Sequence, residues 1–169
     1  MRYLYFLLGT LLFMALQSTI FRALGFLPYS VDAPLIVTVY LATTTNLLAG
    51  FYCSVAIGLM ADMLIPGALI GLNMEIMGLL FFFVYALSKR MNVLRPLVLT
   101  VLVLLLSVCK GFLVFIFGIL FLKEPMSLLT ILRLSLPQML TTSIASPLIT
   151  LALSHVDRHR KDHSFRTLR

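Results

Sequence analysis

The sequence predicts an all-α integral membrane protein, a single bundle of about six transmembrane helices with short loops. The chain of 169 residues is 61% hydrophobic and 11% charged, with a mean hydropathy of +1.08. Soluble domains average about 45–50% apolar and about 25% charged residues, so a chain this apolar belongs in a lipid bilayer. Because a spanning helix needs roughly 20 apolar residues, the length allows about six spans and no extramembrane domain.

The first two predicted helices differ in length. An apolar run over residues 3–21 predicts an uncleaved first span, because no small-residue cleavage site follows it. Pro34 suits the first turn of the second helix, which ends near Thr44. Residues 34–65 are too many for one span, so we predict an uncharged turn near residues 45–46. The second helix is then tilted, partly unwound or not fully spanning.

The stretch 49–90 predicts two spanning helices joined by a tight turn at Pro66 and Gly67. Small residues and one carboxylate recur every four positions on the first helix, which places them on one helical face. These residues are Gly50, Ser54, Gly58 and Asp62. The return helix repeats the pattern, again on one face, with Gly71, Glu75 and Gly78. Small residues at this spacing let another helix backbone come close in lipid.

Two more apolar helices are predicted over residues 97–122 and 127–154. They complete a bundle over residues 1–154, which a basic tail follows over residues 155–169. Lysine and arginine concentrate at the N-terminus, between residues 89 and 95, and in the tail. The positive-inside rule therefore predicts an even number of spans with both termini in the cytoplasm. It also accounts for the net charge of +7 without nucleic-acid binding.

Four ionisable residues lie inside predicted spans. They are Asp62, Glu75, Lys110 and Arg133. A rise of about 1.5 Å per residue gives the depth of each residue below the outer end of its helix. These depths predict that Asp62, Glu75 and Arg133 meet in the outer half of the bundle, with Arg133 as the first partner of Asp62. Lys110 reaches Glu75 or stays in a wet cavity. Two interpretations stay open: an outward polar cavity or partner-docking site, and internal pairing that only fixes helix packing.

The sequence carries no signature of an enzyme, a cofactor or a metal site. It contains no Ser-His-Asp arrangement, no phosphate-binding glycine loop, no HExxH and no paired-cysteine motif. His155, His159 and His163 recur every four residues in the tail, but no cluster of other ligands accompanies them. We therefore expect a non-catalytic protein without cofactors.

The motif Gly58-Leu59-Met60-Ala61-Asp62, followed by Gly67, Leu69 and Gly71, resembles the central signature of the MreD family of rod shape-determining membrane proteins. In that family a glycine-rich helix ends in an aspartate, and a short loop with two glycines leads to the next helix. The resemblance covers most of the chain in size and layout, and residues 58–71 in motif. Asp32-Ala33-Pro34 is similar in content, though not in order, to the Pro-Asp pair that often precedes the family's second helix.

The resemblance implies a scaffold subunit of the bacterial elongation machinery in the inner membrane. Its implied partner is a bitopic MreC-like protein and, through it, the MreB cytoskeleton, the RodA glycosyltransferase and a penicillin-binding transpeptidase. Helix–helix association would then position peptidoglycan synthesis and maintain cell shape. The alternative is the substrate-binding subunit of an energy-coupling-factor vitamin transporter, also a six-helix protein. In that case Asp62, Glu75 and Arg133 would line an outward pocket.

Overall fold

The computed structural model is a bundle of six α-helices. It describes the backbone of residues 2–23, 30–64, 71–91, 93, 95–121 and 128–166, and the side chains of residues 7–17, 19–20, 30–64, 71–91, 93, 95–120 and 135–154. The helices are α1 (Arg2–Ala23), α2 (Ala33–Thr44), α3 (Leu47–Leu64), α4 (Leu72–Ser88), α5 (Pro96–Phe121) and α6 (Leu128–Arg166). The predicted all-α class is confirmed.

Three helical segments in the described part of the chain are long and apolar enough to cross a membrane. They are Leu47–Leu64, Pro96–Leu120 and Ser135–Ser154. The other apolar helices are shorter, over Leu7–Gln17, Ala33–Thr44 and Leu72–Ser88. The chain therefore has the helices of a membrane protein, although length and composition support three spans here, where the sequence predicted about six.

Helix α2 is the buried centre of the bundle. All of its residues from Ala33 to Ala42 are buried, and it contacts each of the other five helices. A helix that is apolar on every side has no face to turn toward water, so the other helices surround it. Its 12 residues extend over about 18 Å. Since the hydrocarbon core of a bilayer is about 30 Å thick, α2 is too short to span it, which agrees with one of the three alternatives predicted for the second helix.

The turn between α2 and α3 is uncharged and falls where the sequence predicts it. Thr45 follows the last residue of α2, and α3 begins at Leu47. The hydroxyl of Thr45 donates to the Leu41 carbonyl at 2.6 Å, and the hydroxyl of Thr44 donates to the Tyr40 carbonyl at 2.8 Å. These bonds occupy carbonyl groups near the end of α2.

Helices α3 and α4 form a close hairpin. The four residues of the predicted small-residue face, Gly50, Ser54, Gly58 and Asp62, are all buried. A Cβ atom on Gly58 would lie 2.6 Å from the Asn73 carbonyl oxygen and 2.7 Å from the Met74 Cα. The first turn of α4 thus packs directly on Gly58, which is the close backbone approach that small residues permit.

The prediction that Gly71, Glu75 and Gly78 share one face of α4 is wrong. Gly71 precedes the helix as its N-cap, with a φ of 102° that favours glycine. Gly78 is buried against the Phe51 ring, at 3.3 Å from an added Cβ, whereas Glu75 is exposed. The buried face of α4 follows Asn73, Ile76, Met77, Leu80, Phe81 and Val84. Glu75 lies outside that face, so no shared polar face forms.

Helix α6 is longer than predicted. It continues past Ser154 to Arg166, with Pro137 and Pro147 inside it. Residues 155–166 of the predicted basic tail are therefore helical in backbone, and residues 167–169 lie outside the described residues. A boundary between the bundle and the tail at residue 154 does not coincide with the end of a helix.

Replacing Gly58 with alanine is expected to destabilise the protein by about 1–3 kcal/mol, because the new methyl group collides with the main chain of α4. Gly9→Ala is the matched control, since among the described residues nothing beyond its own helix turn lies within 4 Å of the Cβ added there, and alanine is the better helix former. Thermal unfolding of both purified variants in detergent measures the difference. Equal unfolding midpoints would contradict the close packing of α3 on α4.

Candidate functional site

Asp62 caps the start of α4. Its Oδ2 accepts hydrogen bonds from the Gly71 and Met74 amides at 2.9 and 3.3 Å. Its Oδ1 accepts from the main-chain and side-chain amides of Asn73 at 3.1 and 2.8 Å. The carboxylate is only 2% exposed. Four donors and the positive end of the α4 dipole stabilise its charge, so Asp62 ties the end of α3 to the start of α4.

Glu75 does not join Asp62 in the buried cluster that the sequence predicts, because its side chain is exposed on α4. The side chain of Arg133, the predicted first partner of Asp62, and all of Gly67 lie outside the described residues, so the pairing of Asp62 with Arg133 stays a prediction. The described hydrogen-bonding partners of Asp62 come from the next helix, because a new helix offers amide groups that its own turns leave free.

Lys110 pairs with Asp32, which the sequence singles out only through the resemblance of Asp32-Ala33-Pro34 to the family's Pro-Asp pair. The Lys110 ammonium forms a salt bridge with Oδ2 of Asp32, and the two side chains are 18% and 9% exposed. Glu75, the predicted partner, faces outward on a different helix. The predicted alternative, that Lys110 lies in a polar cavity, agrees with its surroundings.

Asp32 also fixes the start of α2. Its Oδ1 accepts from the Leu35 amide at 3.4 Å as an N-cap, and its own amide donates to the Thr142 hydroxyl at 2.9 Å. Just before it, the Val31 carbonyl accepts from Nε2 of Gln17 in α1 at 2.9 Å. Three other helices thus hold the non-helical backbone that leads into α2.

The start of α2 lies beside the interior of longer helices. Lys110 and Thr142, its contacts in α5 and α6, are both many residues from the ends of those helices. Non-helical backbone at such a depth is tolerated in a membrane only when it is buried in protein or lines a cavity. Here it does both, because a cavity adjoins Asp32.

The cavity has a volume of about 230 Å³ and lies between the start of α2, α5 and α6. Its polar lining consists of Asp32, Ser107, Lys110, Ser135, Gln138 and Thr142, and its other lining residues are Gly111, Val114 and Met139. The Ser107 hydroxyl oxygen is buried and has no hydrogen-bond partner in the part of the chain that the structure describes. A partly enclosed site with charged and hydrogen-bonding groups can bind a small polar molecule.

Lys110 is the polar lining residue that the sequence predicts as a site residue, and Asp32 and Ser107 are two of those that it does not. Asp32 stands just before an alanine, a proline and an apolar run, which is an N-cap pattern, and that signal was present in the sequence. Ser107 lies three residues before Lys110, hence on the same helical face. Neither signal shows that α5 and α6 enclose a cavity beside α2.

Comparison of the chain with protein-family models, with curated proteins and with solved structures finds no match. The chemistry of the site is therefore inferred from its own geometry.

Replacing Asp62 with alanine is expected to destabilise the protein by about 2 kcal/mol or more, because amides at the start of α4 lose their acceptor. Glu75→Ala is the matched control, a carboxylate of the same hairpin that is exposed. Its loss is expected to change the free energy of unfolding by less than about 0.5 kcal/mol. The measurement is equilibrium unfolding in detergent, and similar losses for both variants would show that Asp62 is not an essential cap.

Proposed function

We propose that this chain is a non-catalytic scaffold subunit of the MreD kind, located in the bacterial inner membrane with both termini in the cytoplasm. In this proposal it associates with an MreC-like bitopic protein. Through that protein it helps to position the MreB cytoskeleton, the RodA glycosyltransferase and a penicillin-binding transpeptidase. The resulting function is the maintenance of cell shape during peptidoglycan synthesis.

The observation that carries this proposal is the hairpin of α3 and α4. Gly58 and Asp62 come from the motif that resembles the family signature, and Gly71 closes the described part of that motif. These residues act together, since Gly58 admits the first turn of α4 and Asp62 binds the amide of Gly71. A motif whose residues fix one helix against the next suits a protein that works by helix association.

The surface of the bundle is compatible with a partner inside the membrane. Side chains on the outer faces of α5 and α6 are large, apolar and exposed, among them Leu97, Val101, Phe112, Ile144 and Leu148. Lipid covers such faces equally well, so they allow a partner helix without identifying it. The proposal therefore depends on the hairpin motif more than on these faces.

The alternative function is the substrate-binding subunit of a vitamin transporter, and the cavity beside Asp32 is the observation that favours it. Asp62 and Glu75 were expected to line such a pocket, but they do not line this one. A volume of about 230 Å³ is also below the roughly 300–1,000 Å³ typical of pockets for drug-sized ligands. The cavity thus suits a molecule smaller than most vitamins.

Affinity purification from membranes of the native host tests the proposal against its alternative. The chain carries an N-terminal tag, and captured proteins are quantified after extraction in a mild detergent. We expect an MreC-like bitopic protein in stoichiometric amount. Capture of ATPase subunits together with a bound vitamin, and no bitopic protein, would contradict the scaffold proposal and support the transporter.

The same purification with Gly58→Ala checks whether the hairpin matters for assembly. We expect that variant to recover less partner per molecule than the wild type, because a displaced α4 changes the surface that the hairpin presents. Gly9→Ala, which adds a methyl group in open space, is expected to recover the wild-type amount. Equal recovery of the partner with both variants would show that the hairpin does not contribute to partner binding.

A further inference from the structure

We propose that the cavity at the start of α2 binds a small zwitterion, a molecule or headgroup that carries one ammonium group and one oxyanion. This binding site goes beyond the scaffold function and does not depend on it. The cavity adjoins Asp32 and Lys110 and is lined by the buried Ser107, whose hydroxyl has no partner among the described residues.

Spare hydrogen-bond donors favour the oxyanion. The ammonium of Lys110 has three N–H groups, and its described bond is the one to Asp32. The Ser107 hydroxyl is a further donor, in a side chain that is only 7% exposed. The side-chain amide of Gln138 also belongs to the lining. A carboxylate or phosphate oxygen is the acceptor that such donors bind most strongly.

The carboxylate of Asp32 favours the ammonium. Its Oδ1 accepts from the Leu35 amide and its Oδ2 from Lys110. Each carboxylate oxygen has two lone-pair sites, so one more donor can bind at either oxygen. An ammonium beside Asp32 would compensate the carboxylate while the oxyanion engages Lys110.

Charge balance requires both groups in one ligand. Asp32 and Lys110 neutralise each other, so a ligand with a net charge would leave one charge uncompensated inside an apolar bundle. A zwitterion keeps the site neutral and still uses both residues. The volume of about 230 Å³ exceeds that of single water molecules and suits a compact head of this kind.

Two sources present this chemistry, a free amino acid-like molecule and the phosphoethanolamine headgroup of a membrane lipid. The test uses the full chain, purified in a maltoside detergent, and measures binding by calorimetry. The lipid probes are short-chain phosphatidylethanolamine, phosphatidylglycerol, which lacks the ammonium, and phosphatidylcholine, whose cation lacks N–H donors and is bulkier. The soluble probes are glycerophosphoethanolamine, which like the lipid headgroup is a net-neutral phosphodiester, and alanine.

We expect a probe with both a primary ammonium and an oxyanion to bind at least about ten-fold more tightly than phosphatidylglycerol or phosphatidylcholine. The reason is that each of those two lipids lacks one charged hydrogen bond to the site. Binding of phosphatidylethanolamine, with or without glycerophosphoethanolamine but without alanine, identifies a lipid headgroup, and binding of alanine identifies a soluble amino acid-like ligand. Both results support the site. Equal binding of all three lipids, or no binding of any probe, overturns it.

Ser107→Ala and Ser54→Ala form a matched pair that separates binding from folding. Both hydroxyls are buried and have no partner among the described residues, but only Ser107 lines the cavity. Because neither hydroxyl bonds to the part of the protein that the structure describes, neither replacement should lower the unfolding midpoint. We expect Ser107→Ala to weaken binding of the preferred probe about ten-fold and Ser54→Ala to leave it unchanged. Unchanged binding in Ser107→Ala, or equal weakening in both, would contradict the assignment.

Discussion

The contacts of Asp32 hold the start of α2 in place, and the rest of the bundle depends on them. One residue joins three helices, since its carboxylate caps α2 and pairs with Lys110 of α5 while its amide binds Thr142 of α6. These contacts allow the short helix α2 to begin beside the middle of the longer helices α5 and α6. The other helices can then enclose α2 from Ala33 to Ala42, and the polar groups at its start line the cavity.

The two buried aspartates in the described part of the chain, Asp32 and Asp62, are stabilised in the same way. Asp32 precedes α2 and Asp62 binds the start of α4, so each carboxylate faces amide groups that a helix leaves free at its beginning. A charge in an apolar bundle is costly unless it is bonded, and helix starts supply donors together with a favourable dipole. The consequence differs, because Asp62 joins two consecutive helices and Asp32 joins helices distant in sequence.

Sequence patterns predicted the features that depend on local spacing. The brevity of α2 follows from Pro34 and the polar residues near Thr45, and the buried face of α3 follows from four-residue spacing. The same reasoning failed where distant contacts decide. Asp32 stands in a segment rich in turn residues, which looks like an exposed loop until α5 and α6 pack over it. The predicted face of Gly71, Glu75 and Gly78 requires a helix that includes Gly71, whereas α4 begins only at Leu72.

A double-mutant cycle between Asp32 and Lys110 tests this account most directly. Asp32→Asn keeps an acceptor for the α2 cap and removes the charge, while Lys110→Met removes the ammonium and keeps an apolar stem. Free energies of unfolding in detergent are measured for both single variants and the double variant. If the Asp32–Lys110 pair holds the start of α2, the double variant loses less unfolding free energy than the sum of the two single losses, by about 1–3 kcal/mol. Losses that add to within about 0.5 kcal/mol would contradict it.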